Sequence, residues 1–169
     1  MPTGRSILVI SSLAMLLTAC ERATHVQVEG STSPKFILSG SGRLCYFVIY
    51  SPEFAQKAKS PWDEDLALWK ITVADGRSTG TPVGSLDRIV YGVLPDGYIQ
   101  VRPKIGPAPP LKEGEKYLYE VNTTNAPGAF GYLEIRNSRA VSTDGPQGPC
   151  FGGKGKGWVR VPCPSTLPR

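Results

Sequence analysis

Leu66-Ala-Leu-Trp-Lys-Ile-Thr-Val-Ala74 reads as a β-strand with one buried face. Successive side chains alternate across an extended chain, so Trp69, Ile71 and Val73 share one side and Lys70 and Thr72 the other. The same rhythm returns in residues 98–103, where Ile99 and Val101 oppose Gln100 and Arg102. A period of two places one set in a core and the other in water. Similar short runs rich in Val, Ile, Tyr and Trp fall at 25–29, 35–38, 43–50, 86–94, 116–123, 130–136 and 157–161. Gly, Pro, Asn and Asp punctuate them, a pattern that predicts an all-β sandwich. Between two runs, Pro95-Asp-Gly97 predicts a turn, since proline fixes its own φ and glycine accepts φ > 0. Residues 53–59 have room for one or two helical turns and no more.

Leu111-Lys-Glu-Gly-Glu-Lys-Tyr-Leu-Tyr-Glu-Val121 narrows the architecture. It resembles the corner before the F strand of fibronectin type III domains: leucine, a tight turn with glycine, tyrosine three residues later, then alternating apolar positions. Leu111, Gly114, Tyr117, Tyr119 and Val121 occupy those places, and Glu113 stands where the family often has proline. The resemblance implies an immunoglobulin-like sandwich, with the Tyr117 hydroxyl bonded back to the turn and its ring in the core.

The start of the chain has a different character. One charged residue, Arg5, precedes an apolar run, residues 7–17, that closes with Leu17-Thr18-Ala19-Cys20. The order is that of a secretory signal, and about eleven residues are too few to cross a bilayer of roughly 30 Å. The ending resembles the lipobox of bacterial lipoproteins, which implies cleavage before Cys20 and lipid on its sulfur. The residue after it is Glu21 rather than aspartate, the residue that in lipoproteins of two-membrane bacteria typically signals inner-membrane retention. The periplasmic face of the outer membrane is the expected address. The organisation expected is a signal peptide over 1–19, lipidated Cys20 with a loose tether over 20–34, the sandwich over 35–142, and a Gly/Pro-rich basic hairpin and tail over 143–169.

Cys45, Cys150 and Cys163 remain after lipidation, an odd number that allows at most one intrachain bridge. An oxidising compartment makes a bridge plausible. Cys150 and Cys163 flank a Gly-rich stretch and form the leading pair; a bridge from Cys45 to either, or none, is the alternative. Cys45 sits in a run that reads as a buried strand, where a thiol behaves as a small apolar group.

Charge is concentrated at one end. Residues 20–136 carry 13 Lys/Arg and 13 Asp/Glu, which cancel. Residues 137–169 carry Arg139, Lys154, Lys156, Arg160 and Arg169 against Asp144 alone. This basic end suits anionic lipid, a cell-wall polymer or an acidic face of an envelope protein. The interface residues it singles out are Phe151, Lys154, Lys156, Trp158 and Arg160, with Trp62 as a second aromatic at a loop edge.

Signs of catalysis are weak. Gly148-Pro-Cys-Phe-Gly-Gly-Lys-Gly155 copies a P-loop until Gly155 stands where Ser or Thr must ligate magnesium. His25 is the only histidine, which argues against a catalytic zinc site, and it lies five residues from Cys20, close to the membrane rather than in the formed pocket that a Ser-His-Asp or Cys-His site needs. Asp63-Glu-Asp65 reads as a turn feeding the strand at Leu66 rather than a calcium loop. The sequence therefore predicts a non-enzymatic, lipid-anchored binding or assembly module, with no cofactor, no metal and no nucleic-acid partner. A glycan-binding accessory lipoprotein using exposed tryptophan is the second reading, and a small envelope hydrolase the third.

Overall fold

The computed structural model describes residues 21–74, 79–144, 150–154 and 157–161, the last two stretches by their backbone pairing. The strands are β1 (His25–Gly30), β2 (Pro34–Ser39), β3 (Arg43–Tyr50), β4 (Ala67–Val73), β5 (Thr81–Pro82), β6 (Ile89–Val90), β7 (Tyr98–Arg102), β8 (Lys116–Thr124), β9 (Ala129–Arg136), β10 (Arg139–Thr143), β11 (Cys150–Lys154) and β12 (Gly157–Val161). One short helix, α1 (Phe54–Lys57), follows β3. Two antiparallel sheets pack face to face as an all-β sandwich: β1-β2-β6 against β10-β9-β8-β3-β4-β7, with β5 beside β3. The hairpin β11-β12 pairs with itself.

The core lies between the sheets. Phe36 and Leu38 of β2 and Ile89 of β6 meet Phe47 and Ile49 of β3, Trp69 and Ile71 of β4, and Leu133 and Ile135 of β9. Phe36 packs on Phe47 with ring centroids 4.7 Å apart and on Tyr119 at 5.3 Å. A second, smaller core covers the outer face of β3, where Val48 and Tyr50 meet Phe54 and Ala58. Burial on both faces explains why β3 reads as a nearly continuous apolar run.

The corner around Tyr117 takes the form the fibronectin resemblance implies. The Lys112 N–H donates to the Tyr117 hydroxyl at 2.8 Å, and the ring is buried. Glu113 does a different job from the family's proline. Its carboxylate accepts the backbone N–H groups of Asn137 and Ser138 at 2.5 and 3.0 Å. Those two residues form the β9–β10 turn with φ of 52° and 60°, the left-handed conformation that a two-residue hairpin favours. Tyr117→Phe strips the acceptor from a part-buried N–H, so unfolding free energy is expected to fall by about 1–2 kcal/mol. Urea denaturation with an unchanged slope would show it; an unchanged midpoint would mean that the corner bond carries no stability.

Four expectations need correction. Residues 25–29, read as a strand run although also placed within the tether over 20–34, belong to β1, which pairs with β2 from His25↔Ser39 to Gly30↔Pro34. Val26 and Val28 pack on the core, so alternation and sheet pairing outweigh the loose Gly30-Ser-Thr-Ser33 stretch. Cys45 is half-buried rather than buried, because the register shifts between Leu44 and Tyr46 and leaves Cys45 as the extra residue of a bulge. The bulge turns both Leu44 and Phe47 toward the core. Within residues 86–94 only Ile89 and Val90 pair, after which Gly92 (φ 81°) turns the chain and leaves Val93 and Leu94 exposed. In β7 the inward set is Tyr98 and Gln100, while Ile99 is exposed. Their polar ends are satisfied there: Tyr98 OH donates to the Leu44 carbonyl at 2.8 Å, and Gln100 accepts from Trp69 Nε1 at 3.1 Å.

Candidate functional site

Trp62 and the basic hairpin are the two surfaces singled out by sequence. Trp62 is 52% exposed in the loop between α1 and β4. The acidic residues after it are engaged one by one. Asp63 accepts the Lys59 N–H at 2.8 Å, Glu64 pairs with Lys70, and Asp65 lies 3.5 Å from Arg102. The hydrogen bond from Lys70 is the largest influence on Glu64 and holds its carboxyl below the usual carboxylate range. With Asp63 on a loop N–H and Glu64 and Asp65 beside cations on β4 and β7, the segment forms a turn that feeds a strand, as the sequence predicts. Among the described residues no cluster of three or more His, Cys, Asp or Glu is placed to hold a metal ion.

The hairpin forms as expected in its backbone, with Phe151 opposite Arg160 and Gly153 opposite Trp158. Directly opposed residues share a face, and alternation puts positions 151, 153, 158 and 160 on one side. Position 154 falls on the other, so the register divides the predicted interface between two faces. Lys156, Cys163 and the whole signal segment with Cys20 lie outside the described residues, and the Cys150–Cys163 pairing with them. Cys45 carries a free thiol.

Sequence reading missed a polar network on the outer face of the larger sheet. Val48 pairs with Glu120 on β8 and with Lys70 on β4, and Lys70 with Arg102 on β7. Tyr46 OH donates to Glu120 Oε1 at 2.6 Å, and Tyr50 OH to Oε2 at 3.4 Å. Lys70 Nζ sits 4.8 Å from the Tyr46 ring centroid, within cation–π range. Burial first, and then the Glu120 carboxylate, push both tyrosine hydroxyls well above their ordinary pKa. They stay protonated and act as fixed donors rather than proton carriers. Beside them Phe130 of β9, opposite Glu120, is 75% exposed. The signal in the sequence was the alternation of Tyr46, Val48 and Tyr50 with core residues, but nothing local shows that Glu120 lies across from them.

Two clefts remain. An open one of about 760 Å³ lies between the β1–β2 and β9–β10 turns, with Lys35 and Arg139 near Ser31, Ser33 and Asn137. Another of about 420 Å³ is walled by Pro52, Pro109, Pro110, Leu68 and Tyr117. Comparison with protein-family models, curated proteins and solved structures finds no match to this chain.

Proposed function

We propose that this chain is a lipid-anchored envelope protein whose sandwich acts as a non-enzymatic binding or assembly module. It is exported, cut before Cys20, acylated on that sulfur and held at the periplasmic face of the outer membrane. The observation that carries this reading is the charged head, short apolar run and Leu17-Thr-Ala-Cys20 ending in that order. Several acyl chains on one cysteine supply stable attachment, since each buried methylene contributes about 0.8 kcal/mol and one chain alone is marginal. A rigid sandwich then presents its loops to a partner: an envelope protein, anionic lipid or a cell-wall polymer.

A glycan-binding accessory role is the second reading. Trp62, 52% exposed beside Asp63, favours it, because a flat ring next to a carboxylate suits a sugar face.

The test is intact-mass analysis of protein purified from membranes, beside a Cys20→Ser variant. The expected mature chain starts at Cys20 with acyl mass added, and Cys20→Ser is expected to lose that mass and leave the membrane pellet. A chain cut elsewhere and carrying no acyl mass would overturn the anchor.

A further inference from the structure

The smaller cleft, of about 420 Å³, is built from parts that other bonds hold in place. Leu68 reaches it through a bulge. The pairing of β3 with β4 runs Ile49↔Trp69 and then Tyr50↔Ala67, which leaves Leu68 as the extra residue. One wall is the Pro109-Pro110 segment, fixed where the Pro109 carbonyl accepts the Tyr91 hydroxyl at 2.6 Å. Another is the buried ring of Tyr117, whose hydroxyl accepts the Lys112 N–H. Pro52, two residues before α1, supplies a third apolar surface. Proline side chains have no rotamer freedom to lose, so little ordering is left to oppose a ligand.

Polar groups in this apolar frame are left without partners. Both backbone groups of Ser51 are engaged: its N–H donates to the Leu66 carbonyl at 2.8 Å, and its carbonyl accepts the Phe54 N–H at 3.0 Å. Its hydroxyl oxygen is shielded from solvent and has no hydrogen-bond partner among the described residues. Half-buried Glu115 belongs to none of the ion pairs among the described residues. Burial is the main cause raising the Tyr117 hydroxyl above its ordinary pKa, and the nearby Glu115 charge adds to the rise. Glu53 is paired with Lys57 at 2.9 Å, one helical turn on, in an exposed contact of a kind that contributes little.

Two carboxylates thus line the cleft against one ammonium, that of exposed Lys112. A matching ligand offers positive charge to Glu115, a donor to the Ser51 hydroxyl, and apolar surface to the prolines, Leu68 and the Tyr117 ring. Lysine and arginine side chains have that combination, because a methylene stem packs on apolar surface while the charged head meets polar groups. An aromatic face beside the head adds cation–π attraction. We propose that this cleft binds a lysine or arginine side chain of a partner polypeptide. This rests on the reading of the sandwich as a binding module, not on the lipid anchor at Cys20.

The test titrates the unlipidated chain from Glu21 to Arg169, which contains the whole core from Phe36 to Ala140, and follows its amide signals by NMR. Nα-acetyl-lysine methylamide and its arginine counterpart are expected to shift the signals of Ser51, Leu68, Glu115 and Tyr117 saturably, with millimolar affinity. Nα-acetyl-norleucine methylamide has a stem without the charge and is expected to bind about five-fold more weakly, the factor for one partly exposed ion pair. Glu115→Gln is expected to weaken the cationic ligands by about the same factor. Glu29→Gln removes the same charge at the other cleft and should change their binding less than about two-fold. No saturable shift at about 50 mM, where a millimolar ligand fills its site, would overturn the site. Norleucine binding as well as lysine and arginine, or equal effects of the two variants, would overturn the cationic class. Tighter binding of 1,5-diaminopentane than of either capped amino acid would overturn a polypeptide as the source. Since no acyl group enters the assay, each of these failures leaves the anchor standing, and a native chain without acyl mass leaves this site standing.

Discussion

Trp69→Ala is expected to lower the unfolding free energy by about 3–5 kcal/mol, the range for removing a fully buried large aromatic. The indole lies at the centre of the larger core, with ring centroids 5.8 Å from Phe47 and 5.4 Å from Tyr91. Its N–H reaches Gln100, whose own amide donates to the Pro103 and Gly106 carbonyls at 2.9 and 2.8 Å. One side chain therefore joins the core to the proline-rich segment after β7. For a folded body of this size the thermal midpoint should drop by roughly 10 °C or more. Trp62→Ala, at a half-exposed position, is the comparison and should cost less than about 2 kcal/mol. Equal effects of the two substitutions would mean that the packing around Trp69 is wrongly placed.

Gly80→Ala is the second large effect. Gly80 has φ of 76°, and a Cβ there would sit 1.8 Å from the Leu44 carbonyl oxygen. That oxygen cannot retreat easily, because it accepts the Tyr98 hydroxyl at 2.8 Å. The same hydroxyl accepts the Thr81 N–H at 3.1 Å, so a shift breaks two bonds together. Left-handed strain and steric overlap together are expected to cost about 2–5 kcal/mol. Gly114→Ala separates the two causes: φ is 77° there, but nothing lies within 4 Å of the added Cβ. It should cost only about 1 kcal/mol. Denaturation midpoints of the two variants decide it; similar losses would leave strain alone as the cause.

The strands with clean alternation were legible because burial on one face writes itself into the chain. β3, β4, β8 and β9 appear within one or two residues of where the pattern puts them. The corner at Tyr117 was legible for a similar reason, since leucine, glycine and tyrosine meet three separate backbone needs. β10 was not, because Arg139-Ala-Val-Ser-Thr143 is an edge strand with little apolar area to bury. β1 was legible as a short alternating run at 25–29, although the glycine and serines that follow it also read as a loose tether. The facing of β7 was hidden because Tyr98 and Gln100 find partners far away in sequence. The Glu120 network was illegible for the same reason: Tyr46 and Glu120 are 74 residues apart, and no local pattern records that they touch.

The central position of β3 has a consequence for the order of events as the chain emerges. β3 joins β4 soon after it is made, but its other flank pairs with β8, from Arg43↔Thr124 to Ile49↔Tyr119. Until residue 124 is available, the most apolar strand of the molecule shows an open edge to its surroundings. Pairings so distant in sequence form slowly, and an unpaired apolar edge invites other chains meanwhile. A chain halted before β8 is thus an aggregation hazard, and nascent protein needs shielding until β8 has been made.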